Sequence, residues 1–313
     1  MVRKLLYCVG ALFAICAGVF WFLTMPNVVN SASLSVLKPG DVTKGEQLFW
    51  AGGCASCHSA TGASGDERKV LAGGRELISD FGTFIVPNIS PSSQGVGNWT
   101  IQEFANAMME GVGREGEHLY PSFPYTSYGR MQPQDVADLF AYLQILPKSD
   151  HVALPHRLDF PFNIRRGLGF WKRLYLSKDP VVNIANASEP VRRGQYLTEA
   201  LGHCGECHTP RNLIGGLDQS QWLAGALSPE KAPDGRRGIV PNITSGEGGI
   251  GNWSEKDIAY ALQSGFTPDF DSLGGSMTDV INNMSQLSDA DRTAIAAYLK
   301  AVPAHPNGYP ASR

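Results

Sequence analysis

Two cysteines three residues apart with a histidine directly after the second occur twice in the chain, as Cys54-Ala-Ser-Cys57-His58 and Cys204-Gly-Glu-Cys207-His208. Three chemistries use such a trio. A structural zinc site could draw two Cys-x-x-Cys pairs into one tetrahedral set, but it leaves both histidines without a task. A redox disulfide has no use for a histidine fixed beside the second thiol, and no alternating strand and helix pattern surrounds either pair. Covalent haem attachment uses every residue: the thiols add to the porphyrin vinyl groups and the imidazole is the proximal iron ligand. The reading is therefore two covalently attached haem c groups, on Cys54, Cys57 and His58 and on Cys204, Cys207 and His208.

The other cysteines agree with this assignment. The chain has 6 cysteines, and the remaining two, Cys8 and Cys16, lie in an apolar N-terminal run, so no thiols are left for a disulfide framework. That run, Leu5 to Leu23, has no charged residue and as a helix would cover about 28 Å of hydrocarbon. Arg3 and Lys4 precede it and the next charge is Lys38, which keeps the N-terminus in the cytoplasm and places the rest in the periplasm. A cleaved signal peptide ending near Ser31-Ala32-Ser33 is the alternative, but the apolar stretch exceeds the usual signal core of about 7 to 15 residues. A net charge of -3 gives no basis for nucleic acid as a partner.

The haem motifs are part of a longer internal repeat. Ile85-Val-Pro-Asn-Ile89 returns as Ile239-Val-Pro-Asn-Ile243, Gly97-Asn-Trp99 as Gly251-Asn-Trp253, and Ala141-Tyr-Leu143 with Pro147 as Ala297-Tyr-Leu299 with Pro303. The offsets are 150 for the haem motifs (54 to 204), 154 (85 to 239, 97 to 251) and 156 (141 to 297), as expected of one domain copied once with small loop insertions. The expected organisation is a membrane anchor over 1–30, a first haem domain over 31–147, a connecting segment over 148–187 and a second haem domain over 188–313.

Each copy is predicted to be all-α. A first helix runs into the haem motif, from Lys44 to Ala51 behind a Thr43/Glu46 cap and from Glu189 to Leu201 in the other copy. A middle helix starts at Thr100 with Glu103 as a capping box, matched at Ser254. A last helix carries Val136, Leu139, Phe140 and Leu143, matched by Ile295, Ala296 and Leu299. No strand alternation is evident. The aromatic and basic connecting segment, with Asp159 to Leu176 reading DFPFNIRRGLGFWKRLYL, is expected to pack across both domains rather than to serve as a docking surface for a partner protein or the membrane surface.

The distal side of each iron decides between electron transfer and substrate chemistry. In the first copy the candidates are Met108, Met109, His118 and Met131. The two methionines of the middle helix read as core, His118 in a polar loop reads as a surface residue, and Met131 directly before the last helix is the best placed. In the second copy no histidine lies between His208 and His305, and register leaves Met277 and Met284 both open. Sulfur ligation would raise the potential relative to two imidazoles.

The segments GCASCH, FGTFIVPNIS, YPSFPYTSYGRM, FPFNIRR, RGQYLTEALGHCGECHTPRNLIGG, IVPNIT and LSDADRTAIAAYL resemble the dihaem and multihaem cytochrome c subunits of bacterial membrane-bound dehydrogenases. The resemblance implies two tandem class I cytochrome c domains behind an N-terminal transmembrane helix, and an electron-transfer subunit rather than an enzyme on its own. It implies a quinoprotein, flavin or molybdenum dehydrogenase as electron donor and a quinone, a downstream cytochrome or an oxidase as acceptor. It also matches the distal methionines to Met131 in GRM and to Met277 in GGSMTDV, relatives commonly carrying a small polar residue where Met284 stands. Arg75 and Arg211 are expected to face haem propionates or to form structural salt bridges. Many relatives carry a third haem domain, which would fall beyond Pro303. A respiratory oxidase subunit and a dihaem peroxidase are the rival functions.

Overall fold

A computed structural model describes residues 2–309; residue 1 and residues 310–313 lie outside the description. The apolar N-terminal run forms helix α1 (Val2–Leu23), which is long and apolar enough to cross a membrane and buries none of its side chains against the rest of the protein. A short helix α2 (Ser31–Ser35) follows, capped by the Asn30 side chain.

The first haem motif is entered through α3 (Val42–Ala51) and is itself a helical turn, α4 (Cys54–His58). The cap of α3 is Asp41, not Thr43: its carboxylate accepts from the amides of Thr43 and Lys44 at 2.9 and 3.1 Å. A carboxylate at the N-cap answers both orphan amides and the helix dipole, which outcompetes the threonine one turn in. The middle helix α5 (Ile101–Glu110) begins with the expected capping box of Thr100 and Glu103. A single turn α6 (Tyr125–Tyr128) leads to α7 (Pro133–Leu143), which starts on a proline.

Two small sheets correct the all-α expectation. Strands β1 (Glu76–Ser79) and β2 (Gly82–Ile85) form a hairpin, and β3 (Arg157–Leu158) adds from the connecting segment; later, β4 (Ala226–Leu227) pairs with β5 (Ile239–Val240). Segments of two to four residues are too short to show alternation, and β3 joins the hairpin across more than seventy residues, so local sequence does not announce it. The fold is mostly helical with these ribbons as loop staples.

The connecting segment also contains α8 (Leu168–Tyr175), and the second haem motif is then approached by α9 (Glu189–Gln195). The helix widens into a π-helical stretch over Tyr196–Leu201 before the motif turn α10 (Gly205–His208). Helices α11 (Glu255–Ser264), α12 (Met277–Met284) and α13 (Asp289–Ala301) complete the chain, α11 with a Ser254/Asp257 capping box.

The two halves repeat one helix crossing. Helices α3 and α7 approach so closely at Gly45 that a Cβ there would stand 2.1 Å from the Asp138 carbonyl and 2.7 Å from Tyr142 Cβ. At the equivalent crossing of α9 and α13, a Cβ on Gly194 would stand 1.8 Å from the Ala294 carbonyl and 2.8 Å from Tyr298 Cβ. Only glycine fits either place. Ion pairs flank both crossings, Lys44 with Asp135 at 2.5 Å and a bidentate Arg193–Asp291 pair at 2.8 and 3.1 Å. The buried apolar side chains of both halves merge into one contiguous cluster, from Leu48 and Phe49 through Leu201 and Trp222 to Tyr298 and Leu299.

The connecting segment lies across both halves. Lys172 Nζ donates to the Glu110 carbonyl at 2.7 Å and to that of Gly111, Trp171 Nε1 donates to the Ile214 carbonyl at 2.9 Å, and Asn212 donates to the Tyr175 hydroxyl at 2.8 Å.

Candidate haem sites

The two motif histidines have matching hydrogen-bond partners in both halves. His58 Nδ1 lies 2.8 Å from the Pro87 carbonyl oxygen, and His208 Nδ1 lies 2.8 Å from that of Pro241. A carbonyl only accepts, so the proton sits on Nδ1 and Nε2 is left with its lone pair, the tautomer that binds a metal. Burial pushes the His58 imidazole down to about 4, against the opposing pull of the Pro87 carbonyl, and burial lowers His208 likewise. Both rings are thus neutral at ordinary pH.

The two prolines belong to the repeated Ile-Val-Pro-Asn-Ile segments, whose role the sequence pattern alone does not reveal. Their asparagines explain the rest of the repeat. Asn88 donates to the carbonyls of Ser149 and His151 at 2.8 Å and accepts from the Ser90 amide, while Asn242 donates to the His305 carbonyl at 2.9 Å and accepts from the Thr244 amide. Each asparagine ties its loop to the chain beyond the last helix, and each proline carbonyl orients a histidine. The histidine backbone is held as well, His58 O accepting from Gly73 N at 2.8 Å and His208 O from Gly225 N at 2.7 Å.

The motif thiols are free in this structure. Their surroundings push Cys54 and Cys204 each up to about 12, chiefly through burial. A reactive redox pair requires a stabilised thiolate, which these surroundings disfavour. Thiols destined to become uncharged thioethers suit the same environment, so the residues present fit a covalently held haem.

On the distal side the sequence candidates separate. Met131 is buried at 3% exposure in the apolar cluster that Cys54 and Cys204 also border, immediately before α7. Met108 and Met109 lie buried in the same cluster from α5. Met277 opens α12 and is partly exposed, whereas Met284 closes it inside the apolar cluster. His118 corrects its surface expectation: it is 3% exposed, with Nε2 2.8 Å from the Thr24 carbonyl, because the end of α1 packs over its loop. Arg75 and Arg211 are in salt bridges here. Arg75 reaches Asp279 at 3.2 Å and Glu230 at 3.5 Å and donates to the Ser56 carbonyl, while Arg211 holds Glu206 at 2.5 Å.

The two motifs meet back to back. Gly53, just before Cys54, and His203, just before Cys204, both have left-handed backbones, with φ of 66° and 39°. The His203 ring packs edge-on against Tyr128 at 5.7 Å, and the Tyr128 hydroxyl donates to the Gly52 carbonyl at 2.6 Å. Around this contact, Asn283 donates to the Ser56 hydroxyl at 2.6 Å, Thr126 donates to Glu206 at 2.5 Å, and Tyr196 donates to Asp135 at 2.5 Å. His203 aligns with Gly53 in the repeat, and that alignment is the sequence signal for its contact with the other motif.

Helices packed around two Cys-x-x-Cys-His turns, each with a histidine freed for iron, define a c-type cytochrome. The cytochrome c family profile matches residues 42–147. The chain is 53% identical to a diheme cytochrome c-type protein of Cereibacter sphaeroides, over 94% of this chain and 96% of that one. It is 37% identical to the fructose dehydrogenase cytochrome subunit of Gluconobacter japonicus and 33% identical to the cytochrome c subunit of the quinone alcohol dehydrogenase of Gluconobacter oxydans. Those matches cover 84% and 85% of this chain but only 53% and 56% of the relatives, so the chain spans about half their length. It belongs to the family of diheme c-type cytochromes, and it is similar over part of their length to proteins named as cytochrome subunits of fructose, alcohol and gluconate dehydrogenases.

Proposed function

We propose that the chain is a dihaem relay in which two tandem haem domains, over 31–147 and 188–313, take electrons from a dehydrogenase catalytic subunit and pass them to a quinone or a terminal oxidase. The observation that carries this reading is the duplicated proximal geometry, His58 on Pro87 and His208 on Pro241 at the same 2.8 Å, in motifs that touch at Gly53 and His203. The relative named as a diheme cytochrome, matched over nearly its whole length, supports the count of two. Relatives named as subunits of fructose, alcohol and gluconate dehydrogenases support a dehydrogenase as donor, of quinoprotein, flavin or molybdenum type.

Haem c supplies a one-electron iron couple. Cys54 and Cys57 would hold one group and Cys204 and Cys207 the other, while His58 and His208 would offer Nε2 to the iron because Pro87 and Pro241 hold Nδ1. Met131 and Met277, the methionines that the family resemblance matches, would be the distal ligands; Met131 is buried in the apolar cluster, Met284 is buried there too, and Met277 is partly exposed. The joined core fixes the spacing between the motifs. Helix α1 anchors the chain in the cytoplasmic membrane with its N-terminus in the cytoplasm and the haem domains in the periplasm.

Haem quantitation against chain concentration tests the count: two per chain is expected, and one per chain overturns the relay. Deletion of the protein should abolish substrate-linked respiration while dye-linked dehydrogenase activity persists. Unchanged respiration would remove it from the path.

A further inference from the structure

The connecting segment is not exhausted by joining the halves. From Phe160 to Lys178 it carries five basic residues (Arg165, Arg166, Lys172, Arg173, Lys178) and no acidic one. Its helix α8 is tied to the last turn of α1. The rings of Phe170 and Phe20 meet at 5.6 Å, and a Cβ on Gly169 would stand 2.6 Å from Thr24 Cα. Phe20 lies three residues before the end of α1, about 4.5 Å down its axis. A ring that touches Phe20 from α8 therefore sits at the depth of that last turn.

The faces of α8 divide accordingly. Gly169 and Lys172 are buried toward the protein, whereas Phe170 and Leu174, four residues apart and so on one side, are 39% and 69% exposed. Arg173 flanks this apolar stripe on one side and Trp171 on the other. Arg173 Nε donates to the Leu23 carbonyl at 2.6 Å, and Arg166 donates to the Trp21 carbonyl at 2.8 Å with its guanidinium 4.0 Å over the Trp21 ring. These donors answer carbonyls that a helix end would leave unpaired at a membrane surface. Beyond Trp171 the stripe continues to the loop of the C-terminal half, where Leu213 is 96% exposed.

We propose that α8 is an interfacial helix: Phe170 and Leu174 enter the headgroup and acyl boundary of the bilayer that α1 crosses, and the exposed Arg173 beside them binds acidic phospholipids. The proposal rests on α1 being the membrane anchor. An apolar stripe with aromatic and basic flanks lying at the level of a membrane helix end has the composition and position of a monotopic segment. Continuity with α1 selects the lipid surface over a protein partner, because a protein covering Phe170 would have to displace the layer into which Phe20 is already inserted.

The test uses the full haem-loaded chain in vesicles of phosphatidylcholine with and without phosphatidylglycerol. The variants Leu174→Cys and Tyr260→Cys are labelled with a membrane-impermeant maleimide and read by mass; Tyr260 is 56% exposed on α11. With acidic lipid present, the Leu174→Cys thiol should react at least an order of magnitude more slowly than the Tyr260→Cys thiol, although Leu174 is the more exposed residue in the protein itself. Omitting phosphatidylglycerol, or adding Arg173→Gln, should restore part of the reactivity. Equal rates in acidic vesicles overturn the proposal, as does shielding that appears only when a dehydrogenase subunit is added. A Leu213→Cys variant repeats the reading at a second exposed site. Flotation with the vesicles separates the two ideas: a chain that floats with an open position 174 keeps its anchor and loses the interfacial helix, and a chain that does not float loses both.

Discussion

Gly53 and His203 occupy equivalent places in the two copies and touch each other: a Cβ on Gly53 would stand 3.5 Å from His203 Nε2. Both backbones are left-handed, so the duplicated turn keeps its conformation whether the residue is glycine or histidine. Glycine takes that conformation freely, while histidine at φ 39° is held by the packing of its half-buried ring against Tyr128.

Gly53→Ala should therefore cost about 1 kcal/mol, from backbone strain rather than collision, since its nearest contacts would be ordinary ones. Thermal unfolding of the full chain should show the loss, and Gly53→Asn should show less of it because asparagine tolerates the left-handed region. An alanine variant as stable as the parent would contradict the assigned strain.

The glycines at the helix crossings should respond more strongly. Gly45→Ala and Gly194→Ala place a methyl within 2.1 and 1.8 Å of a backbone carbonyl, and the helices must part. Each substitution should destabilise by about 1–3 kcal/mol in denaturant unfolding, with haem retained. Because the crossings are copies, similar losses are expected in the two variants.

Asp138 gives an acid-side prediction. Its carboxyl is buried, which raises its pKa, but the Asp41 amide, the Gln134 side chain and Lys44 outweigh burial and hold it below the ordinary carboxylate value. A depressed value means its stabilising contribution is complete above the ordinary carboxylate range and is lost as pH falls through the folded value. Asp138→Asn should lower stability near neutral pH by about 1–3 kcal/mol and flatten the fall on acidification. Chemical unfolding across the acid range measures both.

Distal ligation is tested by carbon monoxide. Met131→Ala and Met277→Ala should each open one haem to the gas while both groups stay attached, and the double variant should open two. Met284→Ala should leave carbon monoxide binding unchanged and instead cost about 2–5 kcal/mol of stability, as removal of a buried side chain does. Binding after Met284→Ala, with none after Met277→Ala, would exchange the two assignments.

Much of this was legible before folding. Spacing alone picked out Cys54, Cys57 and His58 with their copies, and the repeat gave the order of helices, because local pattern and capping residues such as Thr100 and Ser254 act over a few residues. What stayed hidden depends on distant partners. Strand β3 exists only beside a hairpin far back in the chain, His118 is buried by Thr24, and the role of Pro87 and Pro241 lies in a carbonyl that has no side-chain signature. The alternatives Met277 and Met284 lie seven residues apart on one helix, so periodicity could not separate them, whereas burial does distinguish their surroundings.

The end of α1 is gripped from the connecting segment at Trp21, Leu23 and Thr24, by residues more than 140 positions away in sequence. With α1 in the bilayer, the haem-bearing body is then a fixed mount rather than a tethered float. Its height and tilt are set, and a donor or acceptor confined to the same membrane has only to slide and turn in the plane to find it, a search in two dimensions with one angle instead of a tumbling encounter in three.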